Sequence, residues 1–327
     1  MRGLLIVNPR ATTTADGAAE KVIRSLAGVV DLDVELTRHR GHARELAAAA
    51  GADVVLVLGG DGALYEAVNG VMAAASEGSG SAGSEGSGSA GSGSAGSAAR
   101  RVPLIGVIPG GGGNVFARAM GLPVNTEAAA RKIRAAIEAE SFRTIGLGLA
   151  GDRYFTFSAD LGWGAEVVHE VEQQREKGSR ASASLYLRTI VRRYYRGRDR
   201  RVPALTVERD GRPPAGELFM AIVTNRSPWT YLGGRALLPV PNPDLNSGLD
   251  VLALSRLRVG TVLHTVGQLM FVRSRPPRGR YLLSEPGLEA LTIRSARPIA
   301  FQVDGEYLGE VRAVDFRFVP GALRVVA

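Results

Sequence analysis

The chain has 327 residues, which at roughly 150 residues per domain predicts about two domains, and 45% hydrophobic with 22% charged residues is an ordinary globular composition. There is no Cys, which excludes disulfides, thiolate metal sites and a cysteine nucleophile. The net charge is +8, and an equal excess sits between Arg175 and Arg212, where twelve basic residues face four acidic ones. A local basic block of this kind suits nucleic acid, an anionic membrane surface or a solvated face.

The first elements alternate. Leu4–Val7 reads as a buried strand, Asp16–Leu26 as a helix, Val34–Leu36 as a strand and His42–Ala50 as a helix. Asp53–Leu58 is a continuous apolar strand, Glu66–Ala75 a helix and Leu104–Ile108 another strand. This rhythm predicts an α/β domain with a parallel sheet covered on both faces. Between the last two lies Ser76–Ala98, where eight of 23 residues are Gly and nine are Ser. Its composition predicts a flexible surface insert within one domain.

After a helix near Thr126–Glu140 the pattern turns to short strands: 142–150, 154–158, 205–208, 218–224, 249–254, 291–295, 299–303 and 312–318. We therefore expect an α/β nucleotide-binding domain over 1–140, completed by 319–327, and a β-rich, sandwich-like domain over 141–318. Leu185–Arg196 reads as an amphipathic helix, with Leu187, Ile190, Val191 and Tyr194 on one face and Arg188, Arg192, Arg193 and Arg196 around it. No apolar stretch approaches the ~20 residues that cross a bilayer, and the start is too short for a secretory leader. The expectation is a cytoplasmic protein in peripheral contact with an anionic membrane surface.

Two glycine loops follow strands and precede helices: Gly59-Gly60-Asp61-Gly62 and Pro109-Gly110-Gly111-Gly112-Gly113-Asn114. Glycine admits close approach of a phosphate, and a helix N-terminus favours an anion. An Asp there suits a cation or a proton rather than bare phosphate. Neither loop is a Walker A or a dinucleotide fingerprint. Asn8-Pro9-Arg10 follows the first strand at the same sheet edge, and Val303-Asp304-Gly305-Glu306 is an acidic turn near the end. The four histidines show no zinc-like spacing with a Glu, so none is named as a ligand.

These motifs, with Glu66, Asn69-Gly70 and Phe116-Ala117-Arg118, occur in the order and at the spacing of the diacylglycerol kinase catalytic-domain family, which this chain resembles. That family includes bacterial lipid kinases, sphingosine kinases and ceramide kinases. The resemblance implies an ATP-dependent lipid kinase acting on a hydroxyl of diacylglycerol or a sphingoid-like lipid, with Mg²⁺ and an active site in the cleft between its domains. It places nucleotide against Asn8, Pro9, Arg10, Thr37, Gly59, Gly60, Asp61, Gly62, Glu66, Gly110, Gly111, Gly112, Gly113 and Asn114. Glu306, Asp304 or Asp61 would be the base, and one sequence leaves the three open. A metal-holding loop would correspond to Asp244, Ser247 and Leu249, and Glu166 would meet the acceptor's head group.

Four departures stand out. Where the family motifs carry Thr and Asn after the first loop, this chain has Ala63 and Tyr65; where the second carries Thr and Asp, it has Gly112 and Val115. Each lost hydrogen bond to phosphate costs about 1.5–3 kcal/mol. Weak or altered nucleotide binding is therefore expected. The alternatives are another small-molecule kinase, NAD kinase included, or a catalytically weak nucleotide- or lipid-binding relative. Nucleic acid is not an expected partner, and a homodimer is compatible with the sequence.

Overall fold

The structure is a computed structural model, and it describes residues 1–11, 17–80, 101–176, 183–196, 202–225, 228–232, 234–240, 246–272 and 274–327. They group into two units. One comprises Met1–Gly111, Leu122–Arg143 and Leu323–Ala327; the other comprises Gly112–Gly121 and Thr144–Ala322.

The first unit is a parallel sheet with helices. Its strands are β1 (Arg2–Val7), β2 (Asp31–Leu36), β3 (Val54–Gly59) and β4 (Leu104–Pro109), in the order β4-β3-β1-β2. The helices are α1 (Ala18–Leu26), α2 (His42–Ala49), α3 (Asp61–Gly80) and α5 (Thr126–Glu138). β3 and β4 are buried along their whole length, as their unbroken apolar runs require of strands covered on both faces. β2 is the edge strand and alternates exposed with half-buried residues. Val325 and Val326, near the chain's end, pair in parallel with Ile105 and Gly106 of β4, so the closing segment does complete this sheet.

Helices α2 and α3 touch backbone to backbone. A Cβ built on Gly70 would lie 2.3 Å from the Arg44 carbonyl oxygen and 3.0 Å from the Ala47 Cβ. Ala43 and Ala47 complete that small-residue seam. α3 is longer than its apolar stretch predicts: Ser76 to Gly80 is helical, where coil was expected. Helix propagation adds one bond per residue once a turn exists, and the Ser76 hydroxyl donates to the Met72 carbonyl. The remainder of the Gly/Ser insert lies outside the described residues.

The second unit is strand-rich. It holds α4 (Val115–Ala119), β5 (Phe142–Ala150), β6 (Arg153–Phe155), β7 (Ser158–Gly162), α6 (Trp163–Glu176) and α7 (Ala183–Arg196). Then follow β8 (Leu205–Arg209), β9 (Arg212–Leu218), β10 (Met220–Thr224), β11 (Thr230–Leu232), β12 (Arg235–Leu237), β13 (Leu249–Leu254), α8 (Val259–Phe271), β14 (Leu282–Leu288), β15 (Ala290–Val303) and β16 (Glu306–Val326). The central order is β14-β13-β10-β7-β15-β16, with the neighbours from β14 to β16 all antiparallel. One pair of expected strands is a single strand, and another expected strand is part of a longer one. The 291–295 and 299–303 runs join in β15 across a register shift between Arg294 and Ile299, and 312–318 is the middle of β16. Pro298 lies in that shift, where a missing donor is tolerated. Trp163, Ile222, Leu252, Leu254, Leu257 and Leu269 form the core under α6 and α8.

Candidate functional site

The carboxyl ends of the first unit's strands gather the motif residues. In the strand order, Thr37 follows β2, Asn8 follows β1, Gly60 and Asp61 follow β3, and Gly110 follows β4. Backbone bonds tie them in sequence: Thr37 N–H donates to Val7 O, Asn8 N–H to Leu58 O, and Gly110 N–H to Gly59 O at 2.8 Å. The Asn8 side chain accepts from Arg10 N–H and folds the first loop back on itself. This is the edge at which open parallel sheets bind ligands.

Glycine at position 60 has a local cause. Its absent Cβ would sit 3.3 Å from the Gly111 Cα, so the two loops pack backbone on backbone. Asp61 opens α3 and is half-buried, its carboxylate in the first turn where the helix dipole favours negative charge. Glu66 faces a different task. Its Oε1 accepts from Gly41 N–H at 2.7 Å and its Oε2 from Ala43 N–H at 3.2 Å, so it caps the start of α2. Tyr65 is buried, and Asn69 donates to its carbonyl. The Asn-to-Tyr departure thus places an aromatic ring in the core.

In the second unit the acidic turn is built around Asp304. It is 2% exposed with φ +48°, and four donors meet its carboxylate. Thr156 N–H and hydroxyl reach Oδ2 at 2.7 and 2.9 Å; Phe157 and Ser158 N–H reach Oδ1 at 3.0 Å. Burial pushes the carboxyl up to about 6, against the pull of those bonds. With its lone pairs committed, Asp304 locks the turn onto the segment before β7. Glu306, two residues on, is half-buried at the start of β16.

A second buried carboxylate stands beside it. Asp160 on β7 lies opposite Gln302 of β15 and Ile222 of β10. Burial is the largest cause raising its carboxyl to about 7; hydrogen bonds from Gln302, Trp229 and Ser158 oppose this. Gln302 Oε1 in turn accepts from Gly305 N–H at 2.7 Å, which joins Asp160 to the acidic turn. Ser158, Thr224 and Asp250 make a neighbouring row of buried polar residues across three paired strands. The depth of Asp160 comes from strand pairing with β15, distant in the chain.

Glu166 on α6 is 5% exposed, not a surface acid, and Arg193 of α7 approaches it at 3.4 Å. Arg192 bonds to Glu170, so two of the four arginines around the expected amphipathic helix are paired with α6. Tyr307 stacks on His169 of α6 at 3.8 Å between ring centres. Of the metal loop, Asp244 lies outside the described residues. Ser247 is half-buried, Leu249 is buried in β13 against Leu288, and Asp250 accepts from Gly287 N–H. Asp61, a carboxylate at the sheet edge, is the donor type a nucleotide's Mg²⁺ wants.

One grouping was not visible in the spacing. His39, His42 and Glu45 bring ligating atoms within 4.8 Å of one another at the start of α2. His42 Nδ1 accepts from Arg38 N–H and His39 Nδ1 bonds with Arg40 O, and Arg38, Arg40 and Arg44 make the locality cationic.

Residues 2–144 match the family model described as the diacylglycerol kinase catalytic domain. No curated protein matches the chain. Among solved structures, a diacylglycerol kinase from Bacillus anthracis str. Sterne is 17% identical, with TM-score 0.66, covering 99% of this chain and 96% of that one. Two candidate diacylglycerol kinases from the same organism are 19% and 20% identical, each with TM-score 0.71 and the same coverage. At such identity the likeness is one of fold.

Proposed function

We propose, from the premise that residues 2–144 are a catalytic domain of the diacylglycerol kinase family, that this kinase transfers the γ-phosphoryl group of ATP to a hydroxyl of a lipid such as diacylglycerol. The observation that carries the reading is the row Thr37, Asn8, Gly59-Gly60-Asp61 and Gly110-Gly111 along one sheet edge, with its two glycine loops in backbone contact.

Phosphoryl transfer asks a protein for positioning and charge compensation more than for covalent chemistry. The glycine loops supply backbone that a polyphosphate can approach closely. Asp61 would hold the Mg²⁺ that accompanies the nucleotide, and that ion would neutralise phosphate charge. Glu306 is the residue we assign as base for the acceptor hydroxyl. Asp304 was an equal candidate in the sequence. Its four protein donors give it a positioning role instead, holding the turn that presents Glu306. Glu66 supports the nucleotide edge indirectly, by fixing α2.

The test is ADP release from ATP and Mg²⁺ with a panel of dispersed lipids and, separately, with NAD. Lipid-dependent release supports the reading. NAD-dependent release would move the chain to the other kinase class, and nucleotide binding without release would leave a binding protein.

A further inference from the structure

Helix α8 has no charged side chain in its 13 residues. One side is accounted for: Thr265 and Leu269 are buried, and Val262 and Met270 pack on the core beneath. The other side carries Val259, Leu263 and Phe271 at 49%, 66% and 65% exposure; Leu263 and Phe271 are the most exposed large hydrophobics among the described residues. An apolar face of this kind on an element already packed on its opposite side marks an interaction surface.

The surroundings say what kind. Between Asp250 and Glu285 there are six arginines and no Asp or Glu. Arg256, Arg258, Arg275, Arg278 and Arg280 are exposed, and none of the five forms an ion pair among the described residues. Arg256 and Arg280 lie over the Tyr281 ring, and Arg235 lies over Phe271. The patch is thus an apolar stripe whose flanking chain, 251–284, carries arginine and no acidic residue. Two copies meeting through it would bring like charges together. An anionic bilayer takes the stripe into its acyl boundary and sets the guanidinium groups at phosphate level.

We propose that α8 is the helix by which this protein docks on anionic membranes, with Val259, Leu263 and Phe271 inserted and Arg256, Arg258, Arg275, Arg278 and Arg280 on the lipid phosphates. This relocates the contact expected of the Arg175–Arg212 block, where Arg192 and Arg193 are spent on Glu170 and Glu166. Docking is read without phosphoryl transfer, so it stands or falls separately from the kinase reading.

The experiment is co-sedimentation of the full chain with phosphatidylcholine vesicles, with and without phosphatidylglycerol. Wild type should bind the anionic vesicles and release as salt rises. L263Q/F271Q should bind at least about tenfold more weakly, because the inserted apolar area is gone. R278E/R280E should also weaken binding and flatten its salt dependence. Thermal unfolding checks that both variants keep the fold, which exposed substitutions should leave intact. Undiminished binding by L263Q/F271Q would overturn the proposal. So would absence of vesicle binding together with a concentration-dependent dimer that L263Q/F271Q abolishes, which would give the face to a second copy of the chain.

Discussion

Replacing Asp160 with Asn separates the cost of its burial from its shape. Asp160 is 2% exposed on β7, and its carboxyl is raised from 3.8 to about 7. Between those values the folded protein keeps a proton that the unfolded chain has released. Stability from this group is therefore fully present below about pH 4 and is lost as pH rises through about 7. A difference of about 3 units at 1.36 kcal/mol each amounts to about 4 kcal/mol. Asn is nearly isosteric with the protonated acid and does not titrate. Near pH 4 the two proteins should be similarly stable; at pH 8 Asp160→Asn should be the more stable, and the difference between them should change by about 4 kcal/mol. Urea unfolding of both proteins at a series of pH values measures it. A stability difference that does not move with pH would refute the reasoning, and would mean that water or a cation keeps the carboxylate charged.

Asp61→Asn and Glu306→Gln should each lower kcat by roughly 10²-fold or more while the melting temperature holds, because each removes the charge its proposed role requires with little change of volume. Asp304→Asn should behave differently, losing about 3 kcal/mol of stability as well as activity, since the amide group would face two N–H donors, or an N–H and a hydroxyl, that now meet a carboxylate oxygen; calorimetry distinguishes the two patterns. Gly70→Ala should cost roughly 3 kcal/mol by forcing α3 away from the Arg44 carbonyl, read as a lowered urea midpoint.

The first unit was legible because its signals are local. Apolar runs at 54–59 and 104–109 are strands buried on both faces, and the glycine loops mark the points where those strands end. What pattern reading missed depends on partners distant in the chain. The four donors that meet Asp304 come from Thr156, Phe157 and Ser158, nearly 150 residues away. α6 was obscured because its start, Trp163-Gly164-Ala165, has weak helical periodicity, and α8 because it is apolar on both sides and shows no amphipathic stripe. The pairing of the basic block was hidden for a related reason: the glutamates that meet Arg192 and Arg193 lie on the preceding helix, and counting charge within a window of sequence does not pair them.

The central claim, that this is a kinase with a lipid acceptor, is tested most directly by identifying a product. Wild-type protein, ATP carrying a labelled γ-phosphate and Mg²⁺ are incubated with dispersed diacylglycerol and sphingoid lipids, and the extracted lipids are analysed by mass. The account predicts a single lipid class gaining one labelled phosphoryl group, with formation sharply reduced in Glu306→Gln. Label found only in inorganic phosphate or in a nucleotide product, with every lipid unchanged, would contradict it.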